Sequence, residues 1–340
     1  MLKKEQSMTH AKRVISLAAA FLLVGAGALF AAGSRDATVP TGPIRLRMST
    51  AFTLTSDQEV GARLFLDLVE QRLADRVRIE YVGGPESIDP FELAEAVRSG
   101  VVDIGGLPGS YFSNMVPETG AMYLSQISPQ EERASGAFDL FGQAIRAGAG
   151  AQYIGRYNTS YQFNFYSATP IRTMADFRGV TFRSSPVYRS FLLALSATPI
   201  TMPHSEVYTG LERGMIQAIG LTNFGVLERG WNDLLRYVID PSFYGSDQVM
   251  IVNASAWERL PQDVQEVLTE IMIEVERESG ILLQEIIDQE RIDLVAAGMQ
   301  VLTIPNADDF LNMAYESAWN TVLEQTPEAG ARLRGLIAAP

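Results

Sequence analysis

The order of apolar and polar residues along the chain changes its period repeatedly, and each change predicts an element. Residues 44–49 alternate between apolar and polar side chains, which is typical of a half-buried strand. Residues 57–74 repeat apolar side chains at helical spacing. A strand at 77–81, a helix at 89–99 and a strand at 101–104 are predicted next. This alternation of strands and helices predicts a mainly parallel sheet covered by helices.

The alternation of predicted strands and helices continues through the rest of the chain, which also contains one unusually long helical segment. We predict further strands at 151–157, 161–167, 180–183, 216–221, 249–252 and 299–304, and helices at 129–146, 188–195 and 205–213. Residues 261–297 have no internal proline and a single glycine, so they predict a helix of up to 37 residues. Such a helix is about 55 Å long and exceeds the diameter of a small domain. We therefore expect it to bridge two domains.

The N-terminus has the organisation of a secretory signal. Within residues 1–32, basic residues precede an uncharged apolar stretch that ends in small residues. An uncleaved membrane anchor is the alternative, because the stretch is just long enough to span a bilayer. Residues 33–43 are small, polar and proline-containing, which predicts a linker. We expect a periplasmic protein without lipid attachment, since the chain has no cysteine.

Composition narrows the function classes. The chain has 340 residues, of which 47% are apolar and 20% charged, enough for a sizeable core. Without cysteine, thiol catalysis, disulfides and cysteine-bound metals are excluded. The only histidines are His10, inside the predicted signal, and His204, for which a loop or helix-start role is favoured over catalysis. A net charge of −13 disfavours nucleic acid as a partner. We predict no metal, no cofactor, no catalytic residue and no enzymatic activity.

Aromatic residues and one arginine are the candidate binding groups. Two stretches are dense in aromatic residues: Tyr153, Tyr157, Tyr161, Phe163, Phe165 and Tyr166, and then Phe224, Trp231, Tyr237, Phe243 and Tyr244. In a strand, Tyr161, Phe163 and Phe165 share one face, which predicts that an aromatic face lines a cavity. Arg183 ends a predicted strand, where ligands of open α/β sheets bind, although a surface arginine is the alternative. Its planar guanidinium can hold a carboxylate through two hydrogen bonds.

Four segments in order resemble the substrate-binding receptors of TRAP (tripartite ATP-independent periplasmic) transporters, the DctP-type family. They are residues 93–105 (LAEAVRSGVVDIG), 171–183 (IRTMADFRGVTFR), 197–214 (ATPITMPHSEVYTGLERG) and 255–261 (SAWERLP). The resemblance extends over about residues 44–320. It implies an α/β fold of the periplasmic-binding-protein kind (type II-like), with two domains of mixed sheets, an interdomain cleft and a long bridging helix. The expected boundaries are 44–160 with 249–300 for domain I, 161–248 for domain II, and 301–340 for a C-terminal strand and helices.

The resemblance also implies the site. Arg183 stands where family members bind the carboxylate of a small organic acid. A second family arginine is replaced by Phe163 or its neighbour Asn164, and Asn223 is an expected amide contact. The predicted ligand-binding set is Arg183, Phe163, Asn164, Asn223, Phe224, Tyr111, Phe52 and Tyr244. Fewer charged donors and more aromatic surface predict a larger, less polar carboxylate with a hydrophobic tail.

The resemblance further implies two membrane permease subunits as partners, to which the captured solute is delivered. Departures from the family pattern leave open a periplasmic partner that contains tetratricopeptide repeats. Two other functions remain open from the residues alone. One is an exported hydrolase or lyase that uses carboxylates, although no carboxylate spacing supports it. The other is a receptor-like sensor or scaffold subunit.

Overall fold

Two mixed β-sheets form the framework of the protein. The computed structural model describes residues 42–338, so the predicted signal and nearly all of the predicted linker lie outside the described residues. The strands of this part of the chain are β1 Ile44–Thr50, β2 Val77–Gly83, β3 Ile104–Pro108, β4 Ala151–Arg156, β5 Phe163–Ser167, β6 Thr181–Ser184, β7 Thr198–Thr201, β8 Ala218–Thr222, β9 Tyr237–Phe243, β10 Gln248–Asn253 and β11 Gln300–Thr303.

The first sheet has the strand order β2-β1-β3-β10-β4, and the second has the order β11-β9-β5-β8-β6-β7. In the first sheet β1 runs parallel to β2 and β3, whereas β10 is antiparallel to β3 and β4. In the second sheet β5 is antiparallel to β8 and β9, and the outer pairs are parallel. The predicted α/β class with mixed sheets is confirmed. The predicted domain boundaries stay a prediction.

Helices cover both sheets. Those of the described residues are α1 Val60–Leu73, α2 Leu93–Arg98, α3 Pro129–Ser135, α4 Ala137–Ala149, α5 Arg189–Ala194, α6 His204–Glu212, α7 Ala254–Glu258, α8 Gln262–Ala296, α9 Ala307–Gln325 and α10 Pro327–Ile337. Within residues 42–338, no helix is both long enough and apolar enough to cross a membrane.

Three predicted elements differ from the structure. The predicted helix at 89–99 is shorter, since α2 begins at Leu93 and ends at Arg98. The predicted helix at 129–146 is split into α3 and α4, because Gly136 adopts a left-handed conformation (φ 88°) between them. The predicted strand at 101–104 is wrong in its bounds, since β3 begins at Ile104. Val101 instead lies in a turn with 57% of its surface exposed. Two strands, β7 and β9, were not predicted.

The long helix α8 packs against both sheets. Its first half contributes Leu268 and Met272 to the core beneath the first sheet, and its end contributes Leu294 to a core beside the second sheet. Near that end, the Glu290 carboxylate accepts the backbone N–H groups of residues 225–227 at 2.5–3.1 Å. At 35 residues, α8 is about 52 Å long and spans the two sheets, as the sequence predicts.

The chain crosses directly between the sheets at residues 157–162, after β4, and at residues 244–247, before β10. The two crossing segments are hydrogen-bonded to each other, because Ser246 Oγ donates to the Tyr157 carbonyl at 2.9 Å. Arg156 Nη1 also donates to the Ser246 carbonyl at 2.7 Å. These contacts fix the position of Asp247, which immediately follows Ser246.

Candidate ligand-binding site

A small enclosed cavity lies between the two sheets, and it is called the central cavity below. Its volume is about 30 Å³, which is room for one or two water molecules. Its wall consists of Phe52, Gln58, Pro108, Tyr111, Tyr161, Phe163, Arg183, Ser185, Val187, Tyr188, His204, Leu221, Thr222 and Asp247. Eight of these fourteen residues are aromatic or aliphatic and six are polar or charged, a mixture that suits a small polar molecule.

Arg183 is the principal charged group of the central cavity. It lies on β6 with only 2% of its surface exposed. Its Nε donates to the Met202 carbonyl at 3.1 Å, and Nη1 donates to the Tyr188 hydroxyl at 2.7 Å. None of the carboxylates in residues 42–338 forms an ion pair with Arg183. A buried charge without a counter-charge is costly, so this guanidinium favours an anion beside it.

Close packing beside Gly220 fixes the position of Arg183. The Tyr188 hydroxyl donates to the Gly220 carbonyl, which also accepts from Arg183 Nη1 at 3.4 Å. A Cβ atom on Gly220 would lie 2.4 Å from the Tyr188 ring, closer than side chains pack. Glycine at position 220 therefore allows the tyrosine ring to lie over β8 and to hold the guanidinium in place.

Four of the eight predicted binding residues line the central cavity. They are Phe52, Tyr111, Phe163 and Arg183. Tyr111 and Phe52 come from the first-sheet side, and their ring centroids are 6.2 Å apart. Burial, only partly opposed by the charge of Arg183, raises the pKa of Tyr111 to about 12, so its hydroxyl stays neutral and able to hydrogen-bond.

The other four predicted residues have different surroundings. Asn164 donates to the Ile239 carbonyl at 2.9 Å, and Asn223 Oδ1 accepts the Gln162 N–H at 3.2 Å. Both asparagines line a separate groove beside α8.

The remaining two aromatics are buried in packing contacts. The Phe224 ring packs 6.0 Å from that of Tyr161, and the Tyr244 hydroxyl donates to the Ala314 carbonyl at 2.7 Å. None of these four residues is in the wall of the central cavity.

The face of β5 that the sequence marked as aromatic is divided between the cavity and the core. Tyr161, just before the strand, and Phe163 line the central cavity. Phe165 instead packs among other rings, with centroid distances of 4.7 Å to Phe243 and 5.1 Å to Phe182. The aromatic residues alternate along the chain as expected, but only those at the beginning of β5, nearest the first sheet, line the cavity.

Five polar residues of the cavity wall were not among the predicted binding residues: Gln58, Ser185, His204, Thr222 and Asp247. Gln58, His204 and Asp247 each have one buried polar atom without a hydrogen-bond partner among the described residues: Oε1, Nδ1 and Oδ1 respectively. Burial lowers the pKa of His204 well below its usual value, with the charges of Arg183 and Arg229 acting in the same direction. His204 is therefore neutral. A single acidic residue just before the apolar strand predicted at 249–252, as at Asp247, was the available sequence signal.

A larger groove of about 760 Å³ lies between α1, α8 and the segment that follows β8. Its wall has six carboxylates and one arginine: Asp57, Asp67, Glu228, Glu285, Glu290, Asp293 and Arg63. An organic anion would be repelled there. The central cavity, with its buried guanidinium, is the better candidate site for an acidic ligand.

The fold is that of TRAP periplasmic solute-binding proteins. The structure of such a protein from Desulfovibrio salexigens with bound orotic acid superposes with a TM-score of 0.77 at 20% identity, covering 86% of this chain and 97% of that one. The Bordetella pertussis receptor DctP7, which binds pyroglutamic acid, gives a TM-score of 0.76 at 19% identity, covering 86% and 99%.

Sequence comparison gives the family. Residues 48–325 match the DctP family, described as bacterial extracellular solute-binding protein, family 7, and the chain belongs to this family. A curated relative is the 2,3-diketo-L-gulonate-binding periplasmic protein YiaO of Escherichia coli (strain K12), 22% identical over 318 residues, which are 91% of this chain and 96% of that protein. The resemblance drawn from the four sequence segments is thus confirmed. The protein is a solute-binding protein rather than an enzyme, of a family that acts outside the cytoplasm.

Proposed function

We propose that this protein is the receptor of a TRAP-type transporter that holds a small organic acid in the central cavity and delivers it to a membrane permease. The observation that carries the proposal is Arg183, a buried guanidinium on the cavity wall with no carboxylate partner among the described residues. A ligand carboxylate supplies the missing negative charge through charge-assisted hydrogen bonds.

The relatives support an acid as the ligand. Orotic acid, pyroglutamic acid and 2,3-diketo-L-gulonate appear in the names of the similar proteins. The central cavity, at about 30 Å³, has room for only one or two water molecules, so any acid must push its walls apart. A compact acid requires less displacement of the surrounding rings than one with a long hydrophobic tail. The aromatic walls, with Phe163 and Tyr188 at a centroid distance of 5.8 Å, suit a flat or partly apolar ligand body.

Titration calorimetry of the purified protein with a panel of organic acids tests the proposal. Arg183→Ala should weaken binding of any acid that binds by roughly 10- to 150-fold, since losing a charged hydrogen-bond partner costs about 1.5–3 kcal/mol. Arg178→Ala is the matched control, because the substitution removes the same charge at an exposed position. Unchanged affinity in Arg183→Ala would refute the role of this site.

Delivery to a membrane permease and association with a tetratricopeptide-repeat protein are further parts of the proposal. Family membership supports the first, and the second rests on departures from the family pattern such as Asn223. Co-purification from cells that also express TRAP permease subunits and a tetratricopeptide-repeat protein tests both. Recovery of the receptor without either partner, in ligand-loaded and ligand-free samples alike, would contradict them.

A further inference from the structure

The central cavity holds a second charged group, Asp247. It lies on the crossing segment between β9 and β10, with 1% of its surface exposed. Its Oδ2 accepts the backbone N–H of Ser110 at 2.9 Å, whereas Oδ1 has no hydrogen-bond partner among residues 42–338. Asp247 and Arg183 line the same cavity but form no ion pair within that part of the chain. The cavity therefore presents a cation and, separately, an acceptor oxygen.

Gln58 adds a second acceptor to the same wall. Its Nε2 donates to Thr222 Oγ1 at 3.3 Å, so its free Oε1 is an acceptor, and the residue is 3% exposed. A buried acceptor that finds no donor destabilises the state that contains it. A ligand satisfies the site fully only if it brings a donor to these oxygens as well as an anion to Arg183.

We propose that the ligand is a compact carboxylic acid that also carries an N–H or O–H donor, which Asp247 Oδ1 accepts while Arg183 binds the carboxylate. This inference rests on the proposed function and names the ligand class. Hydroxy acids, amino acids and lactam acids belong to the class. Keto acids and lactone acids of the same size do not, because they present only acceptors to the Asp247 oxygen.

Acids that differ in the donor alone test this class. Pyroglutamate carries a ring N–H, and 5-oxotetrahydrofuran-2-carboxylate has a ring oxygen in its place. Mandelate and phenylglyoxylate form a second pair, with a hydroxyl or a ketone beside the carboxylate. In calorimetry with the unmodified protein, the donor-bearing acid should bind about tenfold or more tightly than its partner, because an unpaired buried acceptor strongly rejects a ligand without the donor.

Asp247→Asn provides a sharper test because it should reverse the preference. The asparagine oxygen must remain on the Ser110 N–H, so the side-chain NH₂ group would face the cavity where Oδ1 lies now. The facing atom changes from an acceptor to a donor, and the lactone or keto acid should then bind more tightly than its partner. Asp233→Asn, at an exposed aspartate, is the matched control and should leave the preference unchanged.

The outcomes are distinguishable. Equal or tighter binding of the donor-free acids by the unmodified protein overturns the inference, as does a preference that Asp247→Asn leaves intact. If that variant does not fold, the ratio measured with the unmodified protein decides. Donor-free acids that bind as tightly as their donor-bearing partners, in an Arg183-dependent way, contradict the ligand class and leave the proposed function standing. Absence of Arg183-dependent binding by every acid in the panel refutes the proposed function itself.

Discussion

The buried ion pair between Arg156 and Glu132 holds the crossing segment that carries Asp247. Arg156 Nη2 lies 2.7 Å from Glu132 Oε1, and the two side chains are 3% and 2% exposed. The same guanidinium donates to the carbonyls of Ser246 at 2.7 Å and Ile127 at 3.3 Å. Replacing Glu132 by alanine would leave a buried cation with only neutral acceptors, and we predict a large loss of stability.

The expected magnitude follows from burial. Breaking a buried pair on one side costs about 3–5 kcal/mol, because the remaining charge keeps its desolvation penalty. With an m-value of about 3 kcal/mol per molar urea, the unfolding midpoint of Glu132→Ala would fall by roughly 1–1.7 M. In the double variant Glu132→Leu with Arg156→Met, both charges are absent. It should regain much of this loss, since apolar groups of similar size replace buried pairs well.

Urea unfolding followed by circular dichroism measures these changes. The exposed pair Arg98–Glu95 is the control, because its Nε–Oε2 distance is also 2.7 Å but its side chains are 53% and 41% exposed. Glu95→Ala should change the midpoint far less, since solvent screens exposed pairs. If Glu132→Ala and Glu95→Ala shift the midpoint equally, burial does not determine the strength of these pairs and the reasoning is refuted.

Three further predictions concern the central cavity. Gly220→Ala should displace the Tyr188 ring and lower the free energy of unfolding by about 1–3 kcal/mol. Ligand affinity should also fall, because Tyr188 holds Arg183, and an unchanged calorimetric affinity would contradict this. Burial lowers the pKa of His204 in the folded protein, so the unfolded chain binds the proton at higher pH and stability falls as the pH drops through about 6.5. His204→Gln should therefore reduce the difference in urea midpoint between about pH 7.5 and about pH 5.5. A difference that the variant does not reduce would count against a buried neutral imidazole. Trp231, whose ring lies 5.8 Å from that of His204, should report ligand binding by fluorescence, and a signal that survives in Trp231→Phe would assign it to another tryptophan.

The periodicity of the sequence predicted much of the fold, and its failures have physical causes. The segment 261–297 matches α8 closely, because a long apolar stripe without proline has no other stable arrangement. The strand β9 escaped prediction because Asp240 and Pro241 interrupt its apolar pattern, although β9 pairs with β5 on one side and β11 on the other. This strand forms because it pairs with distant strands, and such pairing is not encoded in the local sequence.

The sequence predicted a site residue correctly where a side chain able to bind an anion stood at the end of a predicted strand. Arg183 met both conditions, and the structure puts it in the wall of the central cavity. Gln58 and Asp247 lie in short segments outside any strand, and only the packing of two distant parts of the chain brings them together. Asn223, an amide expected to contact the ligand, instead bonds the backbone of Gln162 at the start of β5.

The three acceptors around Arg183 have a consequence for affinity. Met202, Tyr188 and Gly220 hold the guanidinium in a single rotamer. A free arginine would give up as much as about 2 kcal/mol of side-chain entropy on grasping an anion. Here that entropy is already lost when the chain folds, so more of the contact energy appears as affinity for the anion.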